Sequence, residues 1–420
     1  MNSSPLDPQE NIVIVGAGPA GATLSLFLSK YQVPHTIVDQ ATFPRDKTCG
    51  DGFTSEVARV LKEISPVLYQ EYVNADWTER CDGIYAETHS WAKVNFVFNH
   101  TRDDSSVIYC AKREKFDEWL VSKLESPFAK VMLGTKVTRV EKTNNGYRVQ
   151  LKNNETEFSF RCALLVGADG ERSIVRKTLH PKGITKDREH YAAAIRQYYK
   201  GITPLASNNP LEIYFIAKPF FGYLWIFQLP NGESNVGIGG LSAHIAEGNI
   251  KLREELNRFI EHHPTLKKRF EKAVPLESPK GWGLPLNSDA FDNVGDHYLL
   301  LGDAGKHIEP LTGKGIGVSM YIAGLAAKVI HLAQQRNDFT LKTLNKYEGI
   351  VERRLRQEWN KYYYFQSNIN KWWIPFMVGF FNIGPLRRWY QKHYSLDWDK
   401  KIHQDFEAYY KRTLKEIEEV

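Results

Sequence analysis

The first sharp pattern along the chain is a run of four apolar, β-branched residues, Ile12-Val13-Ile14-Val15. A strand that is apolar at every position is buried on both faces, as in a parallel sheet. Gly16-Ala17-Gly18-Pro19-Ala20-Gly21 follows, and a helix pattern continues to about Lys30. A second strand, Thr36-Ile37-Val38, ends at Asp39. The period then changes. Over 84–109 and again over 191–240, apolar and polar residues alternate, as in Lys93-Val94-Asn95-Phe96-Val97-Phe98, with Gly, Pro and Asn between. Alternation predicts antiparallel strands of a half-exposed sheet. Residues 136–161 predict strands joined at Asn144-Asn145-Gly146, and 116–124 and 252–259 predict helices.

Two more strand-to-turn signals return to the first pattern. Leu164-Leu165-Val166 runs into Gly167-Ala168-Asp169-Gly170, and Leu299-Leu300-Leu301 runs into Gly302-Asp303. Residues 315–331 then predict a long apolar helix, and from Leu341 onward the pattern is mostly helical. The order predicts an α/β protein. A Rossmann-like three-layer domain comes from 5–75, 112–185 and 285–335. An antiparallel β-sheet substrate domain, 76–111 and 186–284, is inserted into it. A helical C-terminal region covers 336–420.

Composition changes this picture little. The 420 residues are 42% hydrophobic and 25% charged, the ordinary globular mixture. That excludes a disordered chain, a collagen-like fibre and a disulfide miniprotein. Lys and Arg exceed the acids by 55 to 49, a small excess with no concentrated basic stripe, so no nucleic-acid partner is expected. Cys49, Cys81, Cys110 and Cys162 form no CxxC pair, and no His cluster completes a metal pattern. Reduced thiols, a polar N-terminus without a basic n-region, and no apolar run of ~20 residues predict a cytoplasmic protein without a spanning helix.

The glycine run carries the first chemistry. It follows a strand, opens a helix and precedes an acid, which is the context a dinucleotide fingerprint requires. Gly16 permits the tight turn, Gly18 admits a pyrophosphate to the backbone, and Gly21 lets helix and strand pack closely. The helix N-terminus offers free N–H groups to the diphosphate, and Asp39 can accept ribose hydroxyls. NAD and FAD share this fingerprint. The later Gly302-Asp303 segment discriminates, because an acid at that strand end can bind ribityl hydroxyls of a flavin. Pro310-Leu311-Thr312-Gly313-Lys314-Gly315-Ile316-Gly317 then opens a helix whose N–H donors suit the pyrimidine edge of the ring.

With these motifs in order, the chain resembles the FAD-dependent hydroxylase-like superfamily. That resemblance implies FAD as cofactor, with contacts from Gly16, Gly18, Gly21, Asp39, Arg45, Asp169, Gly170, Asp303, Gly313, Gly315 and Ile316. It adds Arg113, the arginine at the start of a helix in Arg113-Glu114-Lys115-Phe116. Pro44-Arg45-Asp46-Lys47-Thr48-Cys49-Gly50-Asp51-Gly52 is similar to the cysteine loop of the geranylgeranyl reductase branch. Tyr223-Leu224-Trp225-Ile226-Phe227 is similar to its aromatic strand, and Asn235-Val236-Gly237-Ile238-Gly239 to the strand that follows. Gly50-Asp51-Gly52 and Gly305-Lys306-His307 depart from the commonest forms.

The resemblance implies a reductase that saturates isolated double bonds of a prenyl chain in a lipid or quinone. Such an alkene needs a proton at one carbon as hydride reaches the other, and Cys49 or a bound water is the candidate donor. Tyr223, Trp225 and Phe227 are the candidate substrate lining, and a packed sheet face is the competing reading. No second glycine fingerprint is present, so NAD(P)H would bind transiently, or another electron donor would serve. A monooxygenase acting on a lipid or polyketide is the alternative, and a non-catalytic flavin- or lipid-binding protein is a third reading. The Trp-x-Trp-x-Ile-Pro motif of halogenases in the superfamily is absent, since Tyr223, Trp225, Phe227 and Gln228 stand there. Finally, 359–394 holds 13 aromatics, and 346–392 holds nine Lys or Arg against three acids. Aromatics with flanking cations suit a membrane interface, so a peripheral membrane surface at the inner face is a candidate partner, with a packed helical cap as the alternative.

Overall fold

The computed structural model describes residues 9–88, 93–97, 107–180, 187–207, 209–289, 291–351 and 355–368. Its central sheet runs Val294–Gly295, Tyr298–Leu300, Glu157–Gly167, Gln9–Val15, His35–Val38 and Ala129–Met132 in spatial order. All neighbours are parallel except the first pair. Side chains alternate across a strand. Ile12 and Ile14 therefore enter one core, and Val13 and Val15 the other. The helices Pro19–Lys30, Ser55–Ile64 and Ile316–Arg336 pack on the first face. The antiparallel strands Lys136–Thr143 and Gly146–Lys152 cover the second, through Val137, Val140, Val149 and Leu151. Burial from both sides is why the first strand is apolar throughout.

Pro19 starts its helix at a position where a missing N–H costs nothing. The helix Ile316–Arg336 is long and apolar enough to cross a membrane, but most of it is buried in this core. Asn337, at φ 48°, ends it.

A second sheet runs Val274–Pro275, Tyr191–Lys200, Glu233–Leu241, Gly222–Leu229, Leu211–Ile216, Gly83–Glu87 and Lys93–Val97. Leu224, Ile226, Val236 and Ile238 face the helices Leu252–His262 and Pro264–Arg269, meeting Leu256, Ile260 and Leu266. The opposite face belongs to Tyr223, Trp225 and Phe227. Not every joint is antiparallel as the alternation predicts. Gly83–Glu87 lies parallel to Leu211–Ile216, because the chain crosses through the first domain between them. Ile108–Cys110, from the same alternating stretch, joins a separate small sheet with Gly52–Phe53 and Glu79–Cys81. Helices Leu341–Val351 and Gln357–Asn368 agree with the helical pattern at the C-terminal end. Residues 369–394, and with them most of the basic aromatic segment, lie outside the described residues.

Candidate functional site

The site starts at the glycine turn. Gly16 has φ +103°, and a Cβ there would fall 2.3 Å from the Ala168 carbonyl oxygen. A Cβ on Gly21 would fall 1.9 Å from the Gly16 oxygen. The turn is thus pressed against the Asp-Gly segment with no room for a side chain. Asp39 braces it, accepting from the Ala17 N–H at 2.7 Å and the Ala41 N–H at 2.8 Å. Gly18 caps the helix Pro19–Lys30 without any side-chain cap or first-turn acid. The nearest atom to a Cβ on Gly18 would be Arg45 Nη2, at 3.6 Å. A helix N-terminus with bare N–H groups therefore opens toward a guanidinium, an arrangement that fits a diphosphate.

Arg45 and Arg113 share one carboxylate. Arg113 donates two bonds of 2.7 Å to Asp117, and Arg45 Nη2 lies 3.1 Å from the same residue. Asp303 sits beside the opening. Its carboxylate carries no hydrogen bond among the described residues, and it lies close enough to Lys47 to favour that ammonium. A free acid there fits ribityl hydroxyls. Gly313, at φ +72°, and Gly315, the cap of the helix that Ile316 begins, form the next edge. Asp169 stands apart from this set. Its carboxylate accepts from Ser173 Oγ at 2.5 Å and the Ile174 N–H at 2.7 Å, capping a short helix, with Gly170 turning at φ +76° beside it. Arg176, in that helix, donates to the Asp303 carbonyl at 2.7 Å and so ties the two acidic motifs together.

The aromatic strand closes the other side. Tyr223 donates to the Thr312 carbonyl at 2.6 Å, and its oxygen lies 3.4 Å from where a Gly313 Cβ would be. Phe227 lies 3.0 Å from a Cβ on Gly52. Trp225 lies between them, ring centroids 5.9 and 6.4 Å away. The three rings therefore bridge the loop before the long helix and the cysteine loop. Trp225 is buried over Gly237 and donates Nε1 to Asn235 at 2.9 Å.

Residues to which the sequence assigned no role hold the cysteine loop. Asn235 donates to the Cys49 carbonyl at 2.8 Å and to Asp51 Oδ2 at 2.9 Å. Tyr198 donates to the same Oδ2 at 2.6 Å. Arg196, 1% exposed, pairs with Asp46 at 3.0 Å and with Glu277, and its guanidinium lies 4.0 Å from the Tyr198 ring centre. Lys47 lies 3.5 Å over the Trp282 ring. Burial lowers the Lys47 pKa to about 8, against the pull of Asp303. Burial raises Asp51 to about 6, against the bonds from Tyr198 and Asn235. Burial also pushes the Cys49 thiol up, with the Asp51 charge adding to it. The Arg113 guanidinium and the Asp51 N–H oppose that shift. Asp51 stood in the sequence as a departure within the cysteine loop and Asn235 as the first residue of a quoted strand, but neither carried a role there; Tyr198 had no signal.

The FAD-binding domain family matches residues 9–348, which include every motif just described. The chain belongs to that family. Its cofactor is FAD, and the protein is an FAD-dependent oxidoreductase. Among curated relatives, it is 28% identical over 355 residues to a digeranylgeranylglycerophospholipid reductase of Methanococcus vannielii, covering 82% of each chain. It is 30% identical over 334 residues to a menaquinone reductase of Mycolicibacterium smegmatis, covering 77% of each. Among solved structures, a geranylgeranyl bacteriochlorophyll reductase-like protein of Thermoplasma acidophilum superposes with a TM-score of 0.75. That match has 21% identity and covers 94% of this chain and 99% of the other. A flavin-dependent halogenase superposes with a TM-score of 0.69 at 18% identity, covering 87% and 67%, which is a likeness of fold. The resemblance to the geranylgeranyl reductase branch holds.

Proposed function

We propose that the protein reduces isolated carbon–carbon double bonds of a geranylgeranyl-type prenyl chain carried by a lipid or a quinone. The observation that carries this reading is the aromatic bridge of Tyr223, Trp225 and Phe227 packed on the loop that carries Cys49. The names of the two relatives above, a prenyl-lipid reductase and a prenyl-quinone reductase, support the same substrate class.

Bound FAD, once reduced, supplies the hydride. The chain's own residues do the rest. The Gly18 helix start, Arg45 and Arg113 would hold the diphosphate. Asp39 would hold the adenosine ribose and Asp303 the ribityl chain. Gly313, Gly315 and Ile316 would present backbone N–H groups to the ring. Asp169 and Gly170 would act from behind, by fixing the turn that carries Arg176. The aromatic bridge would line an apolar passage and exclude water, which an unpolarised alkene requires. Cys49 would give its proton to the carbon that does not receive hydride. Burial keeps the thiol protonated for that step, and Arg113 and the Asp51 N–H face the sulfur to receive the thiolate. NAD(P)H or another carrier would bind transiently to return electrons.

Anaerobic incubation with reductant and a geranylgeranyl lipid tests the reading. A product heavier by two hydrogens per double bond is expected. A product heavier by one oxygen, formed only in air, would instead make the protein a monooxygenase.

A prenylated substrate of this kind lies in a bilayer. The start of the segment 346–392 packs into the core through Tyr347, Ile350, Val351 and Trp359, so its later cations are proposed to meet an anionic membrane surface from the cytoplasmic side. Each cation near such a surface contributes ~1 kcal/mol and is screened by salt. Co-sedimentation with anionic vesicles should be salt-sensitive and should fall on replacing Arg387 and Arg388 with Gln. No co-sedimentation at low salt would return the segment to a structural cap.

A further inference from the structure

Asp51 is fully buried, yet it carries a carboxylate within two residues of the only partly exposed cysteine among the four. Its backbone is in the left-handed region, φ +63°, which no turn glycine provides. That conformation persists because the side chain is held from three directions. Tyr198 and Asn235 donate to Oδ2 at 2.6 and 2.9 Å, and the Arg113 N–H reaches Oδ1 at 3.3 Å. Asn235 holds the Cys49 carbonyl with its other amide hydrogen. One amide thus fixes the spacing of Cys49 and Asp51, while its oxygen fixes Trp225. The Asp51 carbonyl accepts from the Ala111 N–H at 3.1 Å, anchoring the loop to the small sheet.

We propose that Asp51 is the positioning residue of the proton donor: clamped by Tyr198 and Asn235, its carboxylate places Cys49 against the aromatic bridge. The inference rests on the reading of Cys49 as an acid. A carboxylate beside a thiol disfavours thiolate. The charged and titratable groups facing this pair are Arg113 from the helix that starts there, Arg196 and Tyr198 from one strand, Cys110 from the small sheet, and Lys47 from the loop itself. Arg113, already paired with Asp117, and Lys47, beside Asp303, favour the thiolate, and Asp51 is the carboxylate that opposes them at the sulfur. In the step itself the Cys49 S–H bond breaks as a C–H bond forms, and the thiolate then takes a proton from water. Asp51 changes neither bond. It adds to burial in keeping the resting site an acid and not a nucleophile.

The test needs no substrate. Cys81 and Cys110 are 0% exposed and Cys162 2%, so a small alkylating reagent reads Cys49. In the FAD-loaded wild type, the alkylation rate should rise with pH at a midpoint above the ordinary thiol value of ~8.5. Asp51→Asn should move that midpoint down by about one pH unit, and Asp51→Glu, which keeps the charge, should restore it. A wild-type midpoint below the ordinary value, or one that does not move in Asp51→Asn, overturns the proposal. If Asp51→Asn does not fold, Asp51→Ser, which also removes the charge, is read in its place: a midpoint that does not fall there overturns the proposal, since burial alone raises the wild-type value. Failure here with normal alkene reduction would reject the role of Asp51 alone. A normal shift with no reduction of any prenyl substrate would reject the function.

Discussion

Cys49 is where the account meets a single atom. Its thiol is the candidate acid, on a loop that touches both the aromatic bridge and the arginines of the cofactor cleft. Cys49→Ala removes that proton and leaves every residue around the glycine turn in place. FAD content should therefore stay normal, while the rate of alkene reduction falls by ~10²–10⁴-fold. Flavin absorbance per mole of protein and product formation, measured on the same preparation, check the two halves. Unchanged turnover would assign the proton to a water. Cys49 was visible in the sequence because its loop, Pro44 to Gly52, is similar to the cysteine loop of the geranylgeranyl reductase branch. Its partners were not visible. Tyr198 and Asn235 meet Asp51 across 147 and 184 residues of chain, and nothing near either residue announces a buried carboxylate.

At the scale of elements, the strand Gly222–Leu229 shows what period two can and cannot say. Alternation established that Tyr223, Trp225 and Phe227 share a face. Which face became clear only when Leu224 and Ile226 were found under the helices Leu252–His262 and Pro264–Arg269. The neighbouring strand Glu233–Leu241 is cut to fit. Gly237 leaves a slot for the indole, and a Cβ there would fall 2.0 Å from Trp225 Cζ2. Gly237→Ala should push Trp225 off Asn235 and loosen the cysteine loop, at about 1–3 kcal/mol for overpacking. Urea unfolding should show that loss, and alkene reduction should fall with FAD retained. A variant of wild-type stability and activity would remove Trp225 from the account. The glycine turn is the opposite case. Strand, turn, helix and acid are contiguous in sequence, so it was legible from end to end. The parallel joint between Gly83–Glu87 and Leu211–Ile216 was not, because the pairing is set by a crossover through another domain.

For the whole molecule, acid should act through His307. It is fully buried behind the Gly-Asp segment, and neither ring nitrogen has a hydrogen-bond partner among the described residues. Burial, with the charge of Arg356 adding to it, lowers its pKa to about 3. A base whose folded pKa is depressed contributes stability above its unfolded value, ~6.5, and loses it as pH falls toward the folded one. Between pH 7 and pH 5 the loss should be about 2 kcal/mol. His307→Gln should flatten that part of the curve in urea unfolding at the two pH values; an equal slope in both proteins would contradict it. The three-layer domain, its helices and the cofactor were readable in the sequence because each motif sits on one strand-to-helix junction. How the two sheets meet was not, since that depends on ion pairs such as Arg196 with Asp46, 150 residues apart. The central claim is that electrons pass from the flavin to a prenyl double bond. A single turnover tests it most directly: enzyme with its FAD fully reduced is mixed, without oxygen or any other acceptor, with a geranylgeranyl lipid in detergent. The oxidised-flavin absorption band should return in step with a product heavier by two hydrogens. A flavin that stays reduced until air is admitted would contradict it.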